Sequence, residues 1–142
     1  MEISYKYYAL ELTLRLFCGI LFLFQGHDKI FKVRIRGVIE TFRYEAQQKH
    51  IPEWALRFVA VFTSYVEFIG GILLIIGLFK NYALFLLGID LVLVAAAFSY
   101  MKPMWDMKNV FPRLMLVVLL LGMPTRWAVL SFDYVLRNFL NK

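Results

Sequence analysis

Apolar side chains in this sequence gather into long runs, and isolated charges stand near the middle of each. The run from Phe58 to Phe79 is interrupted by Glu67, and the run from Asn81 to Met101 by Asp90. Each exceeds the ~20 residues a helix needs to cross the hydrocarbon core of a bilayer. With only Lys80 and Asn81 at their junction, the two predict a transmembrane hairpin with an acid at mid-depth on each arm. A central charge costs roughly 2.5–3.5 kcal/mol on the insertion scale, so such residues should face the bundle interior. Tyr8 to Gln25 is apolar except for Glu11 and Arg15, which stand four apart in the favourable order for a helical ion pair. It predicts the first span. A fourth, less regular stretch ends at Gly122-Met123-Pro124. If it begins near Trp105 or Met107, Arg113 falls close to mid-depth; if it begins at Pro112, Arg113 snorkels from the rim. The expected spans are about 8–25, 55–79, 81–101 and 106–124.

Between the first two spans the period changes. Ile35, Val38, Ile39, Phe42 and Ala46 recur at helical spacing, while Arg34, Arg36, Glu40, Arg43 and Glu45 take the other faces. That pattern predicts an amphipathic helix lying in the membrane interface, ended by His50-Ile51-Pro52-Glu53. Gly26 is expected to cap the first helix, with Lys29 on its last carbonyls. His27 could make the same corner a polar mouth that passes protons. Ser99 to Asp106, with Lys102, Pro103 and Trp105, reads as an interfacial turn. Ala128 to Leu140 is again amphipathic, with Asp133 and Arg137 spaced as an i,i+4 pair. The fold class expected is all-α: a polytopic membrane four-helix bundle, one domain over 1–142, with one interfacial helix between helices 1 and 2 and an amphipathic C-terminal segment.

Composition agrees with the membrane class, since 61% of the 142 residues are hydrophobic, well above the share in soluble domains. The net charge of +6 sits mostly in loops, where it suits anionic lipid, and no nucleic-acid-binding motif accompanies it. A single cysteine, Cys18, excludes dithiol–disulfide chemistry within the chain. His27 and His50 are too few for a bis-histidine haem in the bundle, and the sequence holds no evident metal, flavin or iron–sulfur motif. No signal peptide is expected, because Leu16 to Phe24 lacks a small-residue cleavage site after it. Lys29, Lys32, Arg34, Arg36, Arg43 and Lys49 in loop 26–53, with Lys102 and Lys108, outnumber Lys6, Lys80, Arg126, Arg137 and Lys142 on the other side. The positive-inside rule therefore places loop 26–53 in the cytoplasm and both termini outside, in a cell (inner) membrane.

Arg15, Glu67, Asp90 and Arg113 form the candidate mid-membrane set. Two bases and two acids are neutral if all meet, and Arg15 is predicted to lie within salt-bridge reach of Glu67 or Asp90. Gly70 and Gly71 share the Glu67 face, and Ala83 and Ala97 share that of Asp90. Small residues admit a neighbouring backbone or a ligand. Ionisable groups at this depth are by default a functional-site hypothesis, and their structural alternative is to fix helix register.

These residues also carry a family resemblance. Arg15, Gly26-His27-Asp28-Lys29 followed by Ile30-Phe31, Glu67-Phe68-Ile69-Gly70-Gly71, Ile76-Gly77-Leu78-Phe79 and Asp90 occur in the order and spacing of a DoxX-type membrane protein. The ending Pro124-Thr125-Arg126 with Ser131-Phe132-Asp133 is similar to the family's Gly-Pro-Gly-Arg and Ser-x-Asp ending. The resemblance implies a four-helix membrane protein associated with redox systems, one branch being similar to small subunits of thiosulfate:quinone oxidoreductases. On that basis the chain would be a non-autonomous subunit of a quinone-linked oxidoreductase. Glu67 and Asp90 would be its catalytic proton donors. Arg15, His27, Lys29, Gly70, Gly71 and Arg113 would bind the quinone in a slot near Phe22 and the glycine notch. Electrons would come from partner redox subunits in the bilayer, and a homo-oligomer is the other assembly expected. The alternatives are a non-enzymatic membrane accessory or scaffold subunit, and a carrier of a small anion or proton.

Overall fold

The computed structural model describes residues 2–101 and 110–140. Its elements are α1 (Glu2–His27), a π-helical turn (Asp28–Lys32), α2 (Arg34–Gln48), α3 (Glu53–Ile76), α4 (Lys80–Met101), α5 (Phe111–Gly122), a 3-10 turn (Thr125–Trp127) and α6 (Phe132–Leu140). Every element among the described residues is helical. Three segments, Tyr5–Lys32, Glu53–Ile76 and Lys80–Met101, are long and apolar enough to cross a membrane. Of the expected turn from Ser99 to Asp106, Ser99, Tyr100 and Met101 instead continue α4, and its remainder, with the first residues of the expected fourth span and Lys142, lies outside the described residues.

The first helix does not stop at Gly26. It continues to His27 and passes into the π turn, closed by Val33 N–H donating to Asp28 O at 2.8 Å. Gly26 serves packing instead. A Cβ there would stand 2.4 Å from Phe68 N, and one at Gly71 would stand 2.4 Å from Leu23 N. With Gly19 beside Gly71 and Ile75, these contacts run α1 antiparallel to α3 with the two backbones touching. Small residues are what permit that approach in lipid.

The end of α3 is set by Gly77, whose φ of +73° an L side chain rarely adopts. Leu78 N–H reaches Leu73 O at 3.0 Å and Gly77 N–H reaches Leu74 O at 3.2 Å, which closes the helix as a Schellman motif. The start of α4 is then capped from far along the chain. Asp133 accepts from Phe79 N–H at 2.9 Å and Lys80 N–H at 3.0 Å, and its own N–H donates to Gly77 O at 3.1 Å. The expected Asp133–Arg137 pair is not formed, because free N–H groups and the positive end of α4 engage the carboxylate.

The main core joins α1, α3, α4 and α5 through Cys18, Phe22, Leu74, Leu84, Leu87, Val117 and Leu120. A second cluster seats α2: Ile39 and Ala46 pack on Leu56 and Ala60 of α3 and Met101 of α4. Phe42 turns inward and meets Phe98 edge-on, ring centroids 4.8 Å apart. The apolar period of α2 is therefore spent on the bundle, at the end where α3 begins and α4 finishes.

Candidate functional site

The buried ions separate into two layers along α1. The first surrounds Arg15, which is 1% exposed. Its Nη1 donates to Leu74 O at 2.7 Å and Ile75 O at 3.0 Å, and its Nη2 to Leu130 O at 2.7 Å. Glu11 lies 3.3 Å from Nε and also 3.3 Å from Lys80 Nζ. Arg15 thus satisfies the C-terminal carbonyls of α3 and ties down the chain before α6. The expected bridge from Arg15 to Glu67 or Asp90 is not made, and the antiparallel register explains it. Gly26, not Arg15, lies beside Phe68, and Arg15 is eleven residues back, roughly 16 Å along the helix.

The second layer is built on Glu67, 1% exposed, and Asp90, 0% exposed. Gln25 and Lys29 stand one turn apart on α1 and its π extension. Gln25 Nε2 donates to Glu67 Oε1 at 2.7 Å, and Lys29 Nζ lies 2.7 Å from Glu67 Oε2, close as an ion pair but off the hydrogen-bonding direction. Arg113, half-buried in the first turn of α5, is near enough for its charge to act on both acids. Neither carboxyl oxygen of Asp90 has a hydrogen-bond donor among the described residues, and neither does Gln25 Oε1. Buried polar atoms left so are uncommon, and water or a ligand is the usual remedy.

Above this layer opens a cavity of about 710 Å³, within the range of small-molecule sites. Val38, Thr41 and Phe42 of α2 form one wall, and Ala60 and Thr63 of α3 with Val94 and Ala97 of α4 form the facing ones. Gln25, Lys29 and Arg113 supply its polar side. Thr63 lies one turn from Glu67, and Val94 one turn from Asp90, so the two acids sit just past the apolar wall.

Of the residues singled out by sequence, Glu67, Asp90, Lys29 and Arg113 come together, and Arg15 does not join them. Gly70 and Gly71 line no slot: a Cβ at Gly70 would meet Leu87 at 3.0 Å, and α1 fills the space at Gly71. Phe22 is fully buried in the core, so the slot expected beside it is occupied by packing. His27 is half-exposed, with Nδ1 3.3 Å from Asp28 Oδ1 and its ring against Phe31, and it is not part of the cavity wall. Sequence reasoning missed Gln25 as the donor to Glu67 and Lys80 as a buried partner of Glu11. The Gln25–Lys29 spacing of four was the available signal for the first; Lys80, in a helix junction, offered none.

The DoxX family model matches residues 10–100, well over half of the chain and all of the Glu67 layer except Arg113. No curated protein and no solved structure matches.

Proposed function

The chain belongs to the DoxX family, and from that premise we propose that it is a membrane subunit of a quinone-linked redox system. In this proposal α5 belongs to a fourth span, and α2 lies at the cytoplasmic interface of an inner membrane. One observation carries the redox assignment. An apolar cavity ends at two cationic side chains, Lys29 and Arg113, with two buried carboxyl groups just beyond. A quinone fits that chemistry: its ring and tail suit the Val, Ala and Phe wall, and its carbonyl oxygens need donors. When bound, it supplies two-electron, two-proton redox chemistry. Lys29, Arg113 and the amide of Gln25 would orient the head. Glu67 and Asp90 would hold and pass protons at the closed end of the cavity, where packing excludes bulk water. The electrons come from a partner redox subunit, so the chain is not an autonomous enzyme.

The test is to purify the protein in mild detergent, extract it for bound quinone, and titrate it with decylubiquinone. Quinone should co-purify, and Lys29→Met and Arg113→Met should each lose it while remaining folded. A wild-type protein that neither carries quinone nor binds decylubiquinone would overturn the proposal. It would favour the scaffold reading, which the purely structural bonds of Arg15 support.

A further inference from the structure

One short helix roofs the cavity. The walls on α1, α3, α4 and α5 belong to the packed bundle, whereas Val38, Thr41 and Phe42 come from α2, a helix of 15 residues. Both ends of α2 are joined through backbone in the left-handed region, Arg34 at φ 60° and His50 at φ 56°. Neither is glycine, and L-residues pay for that conformation. His50 occupies the position that closes α2: Ile51 N–H donates to Ala46 O at 2.9 Å and His50 N–H to Gln47 O at 3.1 Å. A strained residue at each end of one element is the arrangement of a two-hinged lid, because a φ/ψ change at two points moves the helix without unwinding it.

The contacts that hold α2 down are of the kind that can open. Ile39 and Ala46 are its fully buried side chains, and Ile35, Val38 and Phe42 are partly buried against the same small cluster, a seam separate from the main core. Arg43 meets Glu53 at 3.2 Å in an exposed pair, and Lys49 lies 5.8 Å over the Tyr100 ring. Exposed ion pairs exchange readily with water. Other seams are poorer candidates. α1 and α3 touch backbone to backbone at Gly26 and Gly71, and α4 and α5 share the buried core.

We infer that α2 is a lid over the cavity, swinging about Arg34 and His50, and that a membrane-dissolved amphiphile with a hydrogen-bond-accepting head enters beneath it. The ligand half of this inference rests on the quinone reading; the motion of α2 does not.

Two measurements test it, both in a Cys18→Ser background in nanodiscs. Spin labels at Tyr44→Cys on α2 and Tyr65→Cys on α3, positions 69% and 47% exposed, report the separation of lid and bundle. Two separations are expected, with saturating decylubiquinone favouring the closed one. A single narrow separation overturns the lid. Separately, Arg43→Cys with Glu53→Cys, neither in the cavity wall, is joined by a short bismaleimide. Cross-linking should slow decylubiquinone uptake and release by at least about tenfold while leaving Kd nearly unchanged, because it blocks passage and not the bound state. Unchanged rates overturn entry beneath α2. Two separations in a protein that binds no decylubiquinone support the lid and dispose of the quinone reading alone.

Discussion

Arg15 and Asp90 are equally buried and oppositely satisfied. Arg15 donates to three backbone carbonyls and pairs with Glu11, whereas Asp90 receives no donor among the described residues. The difference is measurable. Arg15→Met should destabilise the detergent-solubilised protein by roughly 3–5 kcal/mol, the cost of breaking a buried charged network. Adding Glu11→Gln should not restore it, because the α3 carbonyls still lack their donor. Full rescue in the double variant would show that charge pairing, not carbonyl capping, is what Arg15 does. Asp90→Asn should leave the thermal midpoint unchanged or raised, since the carboxylate takes no hydrogen bond from the described residues. If Asp90 passes protons, the same change should cut quinone turnover of the host complex by about 10²-fold or more. A marked fall in midpoint would instead reveal a structural partner for Asp90.

At the level of elements, two seams account for the architecture. The α1–α3 seam depends on glycines whose replacement meets backbone, which cannot step aside. Gly26→Ala and Gly71→Ala should each cost about 1–3 kcal/mol, the usual range for overpacking. Gly122→Ala, where a Cβ meets nothing within 4 Å, is the neutral control. If all three behave alike, the seam is not what the glycines serve. The second seam joins α6 to the α3–α4 junction through Asp133. Asp133→Ala removes the cap of α4 and should lower stability by about 1–2 kcal/mol. Arg137→Ala should change it by less than about 0.5 kcal/mol, as expected of an exposed residue that pairs with no acid among the described residues. Equal losses at the two positions would reinstate the i,i+4 pair that sequence spacing suggested.

For the whole molecule, the charge asymmetry survives the packing. On the four-span expectation, eight bases fall on the side of loop 26–53, against five on the other. Lys80 is 4% exposed and paired with Glu11, and Lys29 is paired with Glu67 in the buried layer, so each side gives up one base and the difference between them is unchanged. The positive-inside rule, applied to the proposed four-span topology, therefore favours a cytoplasmic α2 by the same margin as before. In intact cells, cysteines placed at Arg36 and Arg43 should resist a membrane-impermeant maleimide until the membrane is opened, and cysteines at Lys6 and Arg137 should react at once. The reverse pattern would invert the topology and place the cavity's roof outside.

The amino-acid sequence alone determined the membrane class, the three long apolar helices, the amphipathic character of α2 and α6, and the rank of Glu67, Asp90 and Arg15 as buried ions. Each follows from a cost or period local to one helix: a charge in an apolar run must face protein, whatever that protein is. The Glu11–Arg15 pair was also legible, as an i,i+4 spacing within one helix, but tertiary structure alone decided which ions meet across helices. Lys29 finds Glu67, Lys80 finds Glu11, and Arg15 finds carbonyls of α3 because α1 and α3 cross antiparallel in one register. A shift of one helical turn would re-pair them all without altering any helix's own pattern. The same register turned Gly26 and Gly71 from cap and notch into packing surfaces, and Leu87 of α4 did the same at Gly70. It also left the open space not beside Phe22 but under α2, where shape is set by helices far apart in the chain.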